Sequence, residues 1–167
     1  MHVTSVSGGV SRGGENVSES WLTLNGIVER GHLVASRKSE HYPRGTVEMQ
    51  IPYFKKQGFD LSSLFKATLN ISISPHTFSF KKTKYIFRNI RWTDQHPPED
   101  FSFSSCRIEF AGIKYEGWIY YPHPETKKRH FQTQSTIEII APYIPNIKYG
   151  DRVEVEINTE EIKIEAP

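Results

Sequence analysis

The sequence contains a single cysteine, Cys106, among its 167 residues. One cysteine excludes an internal disulfide and any zinc site built from several cysteines. It fits a reducing compartment, where structural disulfides are rare. The sequence therefore favours a cytoplasmic protein without a disulfide framework.

Long apolar runs and an excess of one charge sign are also missing. No run approaches the ~20 apolar residues that a membrane-spanning helix needs, and the N-terminal residues lack the apolar segment of a secretory signal. The formal net charge is +2, whereas dedicated nucleic-acid-binding proteins usually carry a strongly basic face. We expect a cytoplasmic protein with no membrane partner and no nucleic-acid partner, and the sequence leaves its oligomeric state open.

Several well-known catalytic and metal-binding motifs are absent. The sequence has no H-E-x-x-H pair, no G-x-S-x-G nucleophile turn and no Walker phosphate loop. The histidines do not pair with cysteines at zinc-ligand spacing. Chemistry that depends on these motifs is therefore not expected.

The chain divides into a tail and one domain. Residues 1–19 are rich in serine and glycine, and such a segment cannot bury enough surface to offset the entropy of ordering it. We therefore expect a disordered tail over residues 1–19. Residues 20–167 are long enough for one domain with a core of its own.

From Trp21 onward, apolar side chains recur with a period near two, which is typical of half-buried strands. The pattern predicts strands over residues 21–27, 46–51, 68–73, 78–80, 85–92, 106–110, 113–121, 136–140, 153–157 and 162–164. A turn at Ala111 and Gly112 joins two of them, and short helical turns are expected over 52–59 and 142–147. Roughly ten short strands favour an all-β barrel or sandwich over a doubly wound parallel sheet.

Two strands carry polar side chains of chemical interest. Thr68 and Asn70 flank Leu69, so their hydroxyl and amide oxygens lie side by side on one face. Mg²⁺ prefers such oxygen ligands, often one or two from protein with phosphate and water completing the shell. Glu138 lies among isoleucines, where partial desolvation would raise its pKa. In both cases the alternative is a polar side chain on the solvent-facing side of an antiparallel strand.

Two loops are candidates for holding anions. Gly31 follows the first predicted strand and is succeeded by basic residues, which is a weak indication of a phosphate loop. A second basic loop contains Thr126 and His130. Either loop has a plain alternative as solvated surface. The lysines of the segment 81–84 lie near aromatic residues, a mixture that in other β folds binds single-stranded nucleic acid.

The order of these segments resembles the CTP-dependent riboflavin kinases, a family first seen in archaea. The resemblance covers roughly residues 22–158 and rests mainly on four segments: Gly26 to Gly31, Ala67 to Ile71, Ile137 to Pro142 and Gly150 to Val153. It implies an all-β fold, a compact six-stranded riboflavin-kinase-like (cradle-loop) barrel with extra hairpins and one or two short helices.

The resemblance also implies an activity. The family transfers the γ-phosphoryl group of CTP to the ribityl 5′-hydroxyl of riboflavin, which gives FMN. Thr68 and Asn70 match the family's Mg²⁺-binding pair, and Glu138 matches its motif carboxylate near the ribityl end of the flavin. We therefore expect Mg²⁺ as a cofactor, with CTP or another nucleotide as phosphate donor.

The same resemblance implies a ligand-binding role for four further residues. Gly26 and Gly31 belong to the first, nucleotide-binding segment, and Thr126 and His130 approximate the loop threonine and histidine over the flavin. The family's first loop is a Gly-x-Gly-x-Gly run, where this chain has Leu and Ala at two of the three positions. The alternative is therefore a non-catalytic barrel that binds a flavin, a nucleotide or another small ligand and has lost the phosphate-donor loop.

Overall fold

The computed structural model describes residues 2–6, 19–30, 46–82, 84–123 and 135–167. Within these residues the fold is mainly β, with ten strands and one helix. The strands are β1 His2–Val6, β2 Glu19–Glu29, β3 Leu69–Ser72, β4 Thr77–Phe80, β5 Tyr85–Ile90, β6 Glu99–Phe110, β7 Ile113–Pro122, β8 Thr136–Ile140, β9 Arg152–Asn158 and β10 Ile162–Glu165. The helix, α1, is Thr46–Lys55. None of the helical structure in the described ranges reaches the length and apolar character that crossing a bilayer requires.

Six strands form a ring of antiparallel pairs. β2 pairs with β3, β3 with β8, β8 with β7, β7 with β6, β6 with β9, and β9 again with β2. β1 and β5 add to this sheet beside β2 and β6, and β4 pairs with β10 in a separate two-stranded sheet. The expectation of a mainly β fold is thereby confirmed.

Alternation along the ring strands directs one set of side chains to a common interior. Each ring strand contributes at least one side chain that is at most 4% exposed: Leu24, Ile71, Ile139, Ile119, Ile108 and Val155. Because alternate residues point to opposite faces, the neighbours of these residues lie on the outer face of the ring. That outer face carries the polar residues discussed below.

Helix α1 covers part of the outer face. Phe54 of the helix is 1% exposed, and its ring lies 5.1 Å from that of Phe103 and 5.3 Å from that of Phe87. The predicted strand over 46–51 is therefore wrong. Val47, Ile51 and Phe54 are spaced by four and three residues and share one helical face, which packs on the aromatic side chains of β5 and β6.

Other boundaries also differ from the sequence predictions. His2–Val6 pairs with the edge of β2, so this part of the expected tail obtains backbone hydrogen bonds, whereas residues 7–18 lie outside the described residues. β6 begins seven residues before its predicted start, at Glu99. Residues 142–147 contain a turn at 145–146 and no full helix.

The turn between β6 and β7 and the bounds of β8 are confirmed. Ala111 and Gly112 have φ values of 54° and 81°, both in the left-handed region that tight two-residue hairpins use. β8 spans Thr136–Ile140 as predicted.

Candidate functional site

Three polar residues lie in one row across neighbouring strands on the outer face of the ring. Glu29 of β2 pairs with Asn70 of β3, and Asn70 pairs with Glu138 of β8. Side chains directly opposite each other in antiparallel strands have Cβ atoms about 5 Å apart. The row, hereafter the polar row, therefore places Asn70 between Glu29 and Glu138 on adjacent strands.

Thr68 adds a hydroxyl to the polar row. Its Oγ1 atom donates a hydrogen bond to Oδ1 of Asn70 over 3.4 Å. Thr68 is half-buried, whereas Asn70 is 7% and Glu138 9% exposed. The site residues on β3 and β8 that the sequence singles out are therefore neighbours in the structure, and Glu138 is buried rather than on a solvent-facing surface.

The oxygen atoms of Thr68 and Asn70 suit a hard cation such as Mg²⁺. Two neutral oxygens at 3.4 Å separation match a site that takes one or two protein ligands and completes its shell with phosphate and water. The described residues hold no group of three His, Cys, Asp or Glu side chains that would form a metal cage. Thr68 and Asn70 therefore offer a pair of oxygen ligands of the kind that Mg²⁺ accepts.

A hydrogen bond ties the polar row across three strands. Oγ1 of Thr136 on β8 donates to Oε1 of Glu29 on β2 over 2.6 Å, and this bond spans β3, which lies between them. Thr136 is 7% exposed. Because Thr136 pairs with Ser72, this bond directs the carboxylate of Glu29 toward the row next to that of Asn70 and Glu138.

A buried hydroxyl extends the polar row toward helix α1. β7 and β8 pair Trp118 with Ile140 and Ile119 with Ile139, and the next step of this register brings Tyr120 beside Glu138. Tyr120 donates a hydrogen bond from Oη to Oε1 of Gln50 over 2.7 Å, and both residues are 2% exposed.

The pKa of Tyr120 is influenced by nearby carboxylates. Burial, then the charge of Glu138 and then that of Glu99, raise the pKa of Tyr120 well above its ordinary value. Glu99 itself is 4% exposed and accepts a hydrogen bond from Nε1 of Trp92 over 2.9 Å. The hydroxyl of Tyr120 therefore stays protonated and acts as a donor.

Sequence reasoning did not find Gln50, Tyr120 or Glu99. Gln50 lies in a segment that the sequence predicts as a strand, and Tyr120 reads as a core aromatic residue. The one available signal is the glutamine itself: a residue that is mostly exposed in proteins stands here between the apolar Met49 and Ile51.

Of the four residues expected to bind ligands, Gly26 alone is among the described residues. Gly26 lies in β2 at a position that faces the ring interior. A Cβ added there would overlap Cγ2 of Ile71. The lack of a side chain at Gly26 thus allows close packing of β2 on β3, on the face opposite to the polar row. Gly31, Thr126 and His130 lie outside the described residues.

Comparison with known proteins adds no assignment to this site. The chain matches no model of a known protein family and no curated protein. The functional argument therefore depends on the residues and their geometry.

Proposed function

We propose that this chain is a riboflavin-kinase-type phosphotransferase, whose six-stranded ring is the barrel of that family and whose reaction occurs at the polar row. The observation that carries the proposal is the pairing of Asn70 with Glu138, with Thr68 hydrogen-bonded to Asn70. A metal-ligating pair beside a carboxylate is the arrangement that the resemblance to the CTP-dependent riboflavin kinases requires.

In this proposal each residue has one task. Thr68 and Asn70 offer their side-chain oxygens to Mg²⁺, which when bound would neutralise phosphate charge. Glu138 orients the 5′-hydroxyl of riboflavin and accepts its proton. The hydroxyl oxygen attacks the γ-phosphorus of CTP, the bond from that phosphorus to the bridging oxygen breaks, and CDP leaves with the electron pair.

The surroundings of Glu138 support its role as a positioned base. The side chain is 9% exposed on a strand whose five residues are all buried. A carboxylate held in this way needs little reorganisation when the hydroxyl approaches. The hydroxyl of Tyr120 donates its proton to Gln50, and this bond fixes the orientation of the Tyr120 side chain on the strand next to Glu138.

The second candidate function is binding of a flavin or nucleotide without turnover. It is favoured by the two positions of the first loop at which Leu33 and Ala35 stand where the family has glycine. A Cβ at such positions hinders close approach of the backbone to a triphosphate.

A thermal-shift panel separates the two candidates. It would contain riboflavin, FMN, CTP and ATP, each with and without Mg²⁺, on the wild type and on Asn70→Ala. A ligand at about 100 times its Kd stabilises by roughly 2.7 kcal/mol, enough to move the Tm by several degrees. Shifts with riboflavin and with CTP plus Mg²⁺, the second lost in Asn70→Ala, support the kinase. A shift with riboflavin alone supports the binding protein, and no shift with any ligand contradicts both.

A further inference from the structure

Two aromatic side chains lie in contact on the surface, just beyond the C-terminal end of β8. Phe65 is 51% and Tyr143 63% exposed, and their ring centroids are 5.4 Å apart with planes tilted by 57°. Single exposed apolar residues are common in proteins. Here two large rings contact each other and each leaves about half or more of its surface open to solvent; they are hereafter the aromatic pair.

The backbone links the aromatic pair to the polar row. The N–H of Phe65 donates a hydrogen bond to the carbonyl of Ala141 over 3.0 Å. Phe65 precedes Thr68 by three residues, and Ala141 follows Glu138 by three residues. At about 3.3 Å per extended residue, Phe65 lies at most about 10 Å along the chain from Thr68, and Tyr143 lies at most about 17 Å from Glu138.

The backbone that carries the aromatic pair is held in place. The N–H of Ala67 donates to the carbonyl of Phe65 over 2.9 Å. Behind Ala141, a Cβ added to Gly117 would lie 2.7 Å from the carbonyl oxygen of Ile140, so β7 and β8 are in close contact there. Ile144, 5% exposed, anchors the chain just after Tyr143 in the core. A planar ligand would therefore meet rings whose backbone is already ordered, which lowers the entropic cost of binding.

We propose that the aromatic pair is the subsite that stacks on the planar heteroaromatic ring of a substrate. The inference depends on the proposed function, because that function supplies the class of ligand. Riboflavin and CTP each carry a flat ring at one end and a hydroxyl or phosphate chain at the other. The site has the same order, because the aromatic pair lies three residues along the chain from Thr68 and five residues from Glu138, and both of these residues carry side-chain oxygen atoms.

Removing both rings tests the subsite. The variant would be Phe65→Ala/Tyr143→Ala, with Ile113→Ala as the matched control, because Ile113 is 55% exposed at the start of β7, away from the polar row. Riboflavin binding would be followed by quenching of flavin fluorescence, and binding of CTP with Mg²⁺ by calorimetry. Loss of the stacking between a base and an aromatic side chain weakens binding by roughly tenfold. We expect at least that loss for one ligand in the double variant and no change in the control.

The outcomes show which substrate stacks on the aromatic pair, and they distinguish the failure of this inference from the failure of the proposed function. Weakened riboflavin binding assigns the aromatic pair to the flavin, and weakened CTP binding assigns it to the base. If the wild type binds riboflavin through the aromatic pair and forms no FMN, the subsite stands and the kinase is contradicted. If the wild type forms FMN and the double variant keeps both KM values, the subsite is contradicted and the kinase stands. A wild type that binds neither ligand contradicts both.

Discussion

Asn70 of β3 lies directly opposite Glu138 of β8 on the outer face of the strand ring. The two residues are 68 positions apart in the chain, and the pairing of their strands places both side chains in one row with Glu29. Asn70 and Glu138 are each less than a tenth exposed, so they form a buried polar pair rather than part of a solvated strand surface.

The first prediction concerns the carboxylate of Glu138. Glu138→Gln keeps the shape of the side chain and removes its ability to accept a proton, so kcat for FMN formation should fall by about 10²–10⁴-fold. The KM for riboflavin should change much less. Glu154→Gln, at an exposed position of β9, is the control and should retain wild-type kinetics. Equal kcat in Glu138→Gln and wild type would refute the role of general base.

The second prediction concerns the packing of β2 on β3. Gly26→Ala places a methyl group onto Cγ2 of Ile71 and 3.3 Å from the carbonyl oxygen of Ser72. We expect a loss of about 1–3 kcal/mol in the free energy of unfolding, measured by urea denaturation. In an Ile71→Ala background the same substitution should cost less, because the overlapping atom is gone. An equal cost in both backgrounds would show that the strain arises elsewhere.

The third prediction concerns the hydrogen bond between Tyr120 and Gln50. Tyr120→Phe leaves the buried Oε1 atom of Gln50 without the donor that it has over 2.7 Å. The free energy of unfolding should fall by about 1–3 kcal/mol. Adding Gln50→Leu should recover part of this loss, because an apolar partner needs no donor. Tyr149→Phe, at a position 52% exposed, should leave stability unchanged, and no recovery in the double variant would contradict the assignment.

The fourth prediction is a pH dependence that arises from Cys106. Burial raises the pKa of this thiol well above its ordinary value, against a smaller opposing effect of Arg107. A raised folded-state pKa means that the thiol's contribution to stability is complete below the unfolded pKa, about 8.5, and is lost as pH rises above it. The loss should reach about 1.4 kcal/mol per pH unit.

Urea denaturation of the wild type and Cys106→Ala between pH 7 and 10 measures this dependence. The wild type should lose stability more steeply above pH 8.5 than the variant, even if the variant is less stable at pH 7. Parallel curves would contradict the prediction.

The sequence predicted the strands best where one face carries apolar residues. β8 has its predicted bounds because Ile137 and Ile139 alternate with Thr136 and Glu138. β6 was predicted too short because Ser102 and Ser104 occupy interior positions. These serines are at most 1% exposed, and they form hydrogen bonds with His123 and Glu161, respectively. Because serine is polar, its presence at interior positions interrupts the apolar alternation from which strands are predicted.

Helix α1 and the buried polar contacts could not be predicted from local sequence. The segment Thr46 to Ile51 alternates as a strand would, and the same apolar residues also fit one face of a helix. The face of β5 and β6 that decides between the two is formed by residues far along the chain. Likewise, the contact of Gln50 with Tyr120 joins residues 70 positions apart, and sequence spacing carries no information about it.

The most direct test of the central claim is FMN formation from riboflavin, CTP and Mg²⁺, followed by chromatography of the flavin products. The wild type and Ser72→Ala, which alters the same face of β3 two residues beyond Asn70, should both form FMN only when Mg²⁺ is present. Asn70→Ala should lose this activity while its thermal melt shows a folded protein. FMN formation by Asn70→Ala at the wild-type rate, or none by the wild type with either CTP or ATP, would contradict the proposed phosphotransferase.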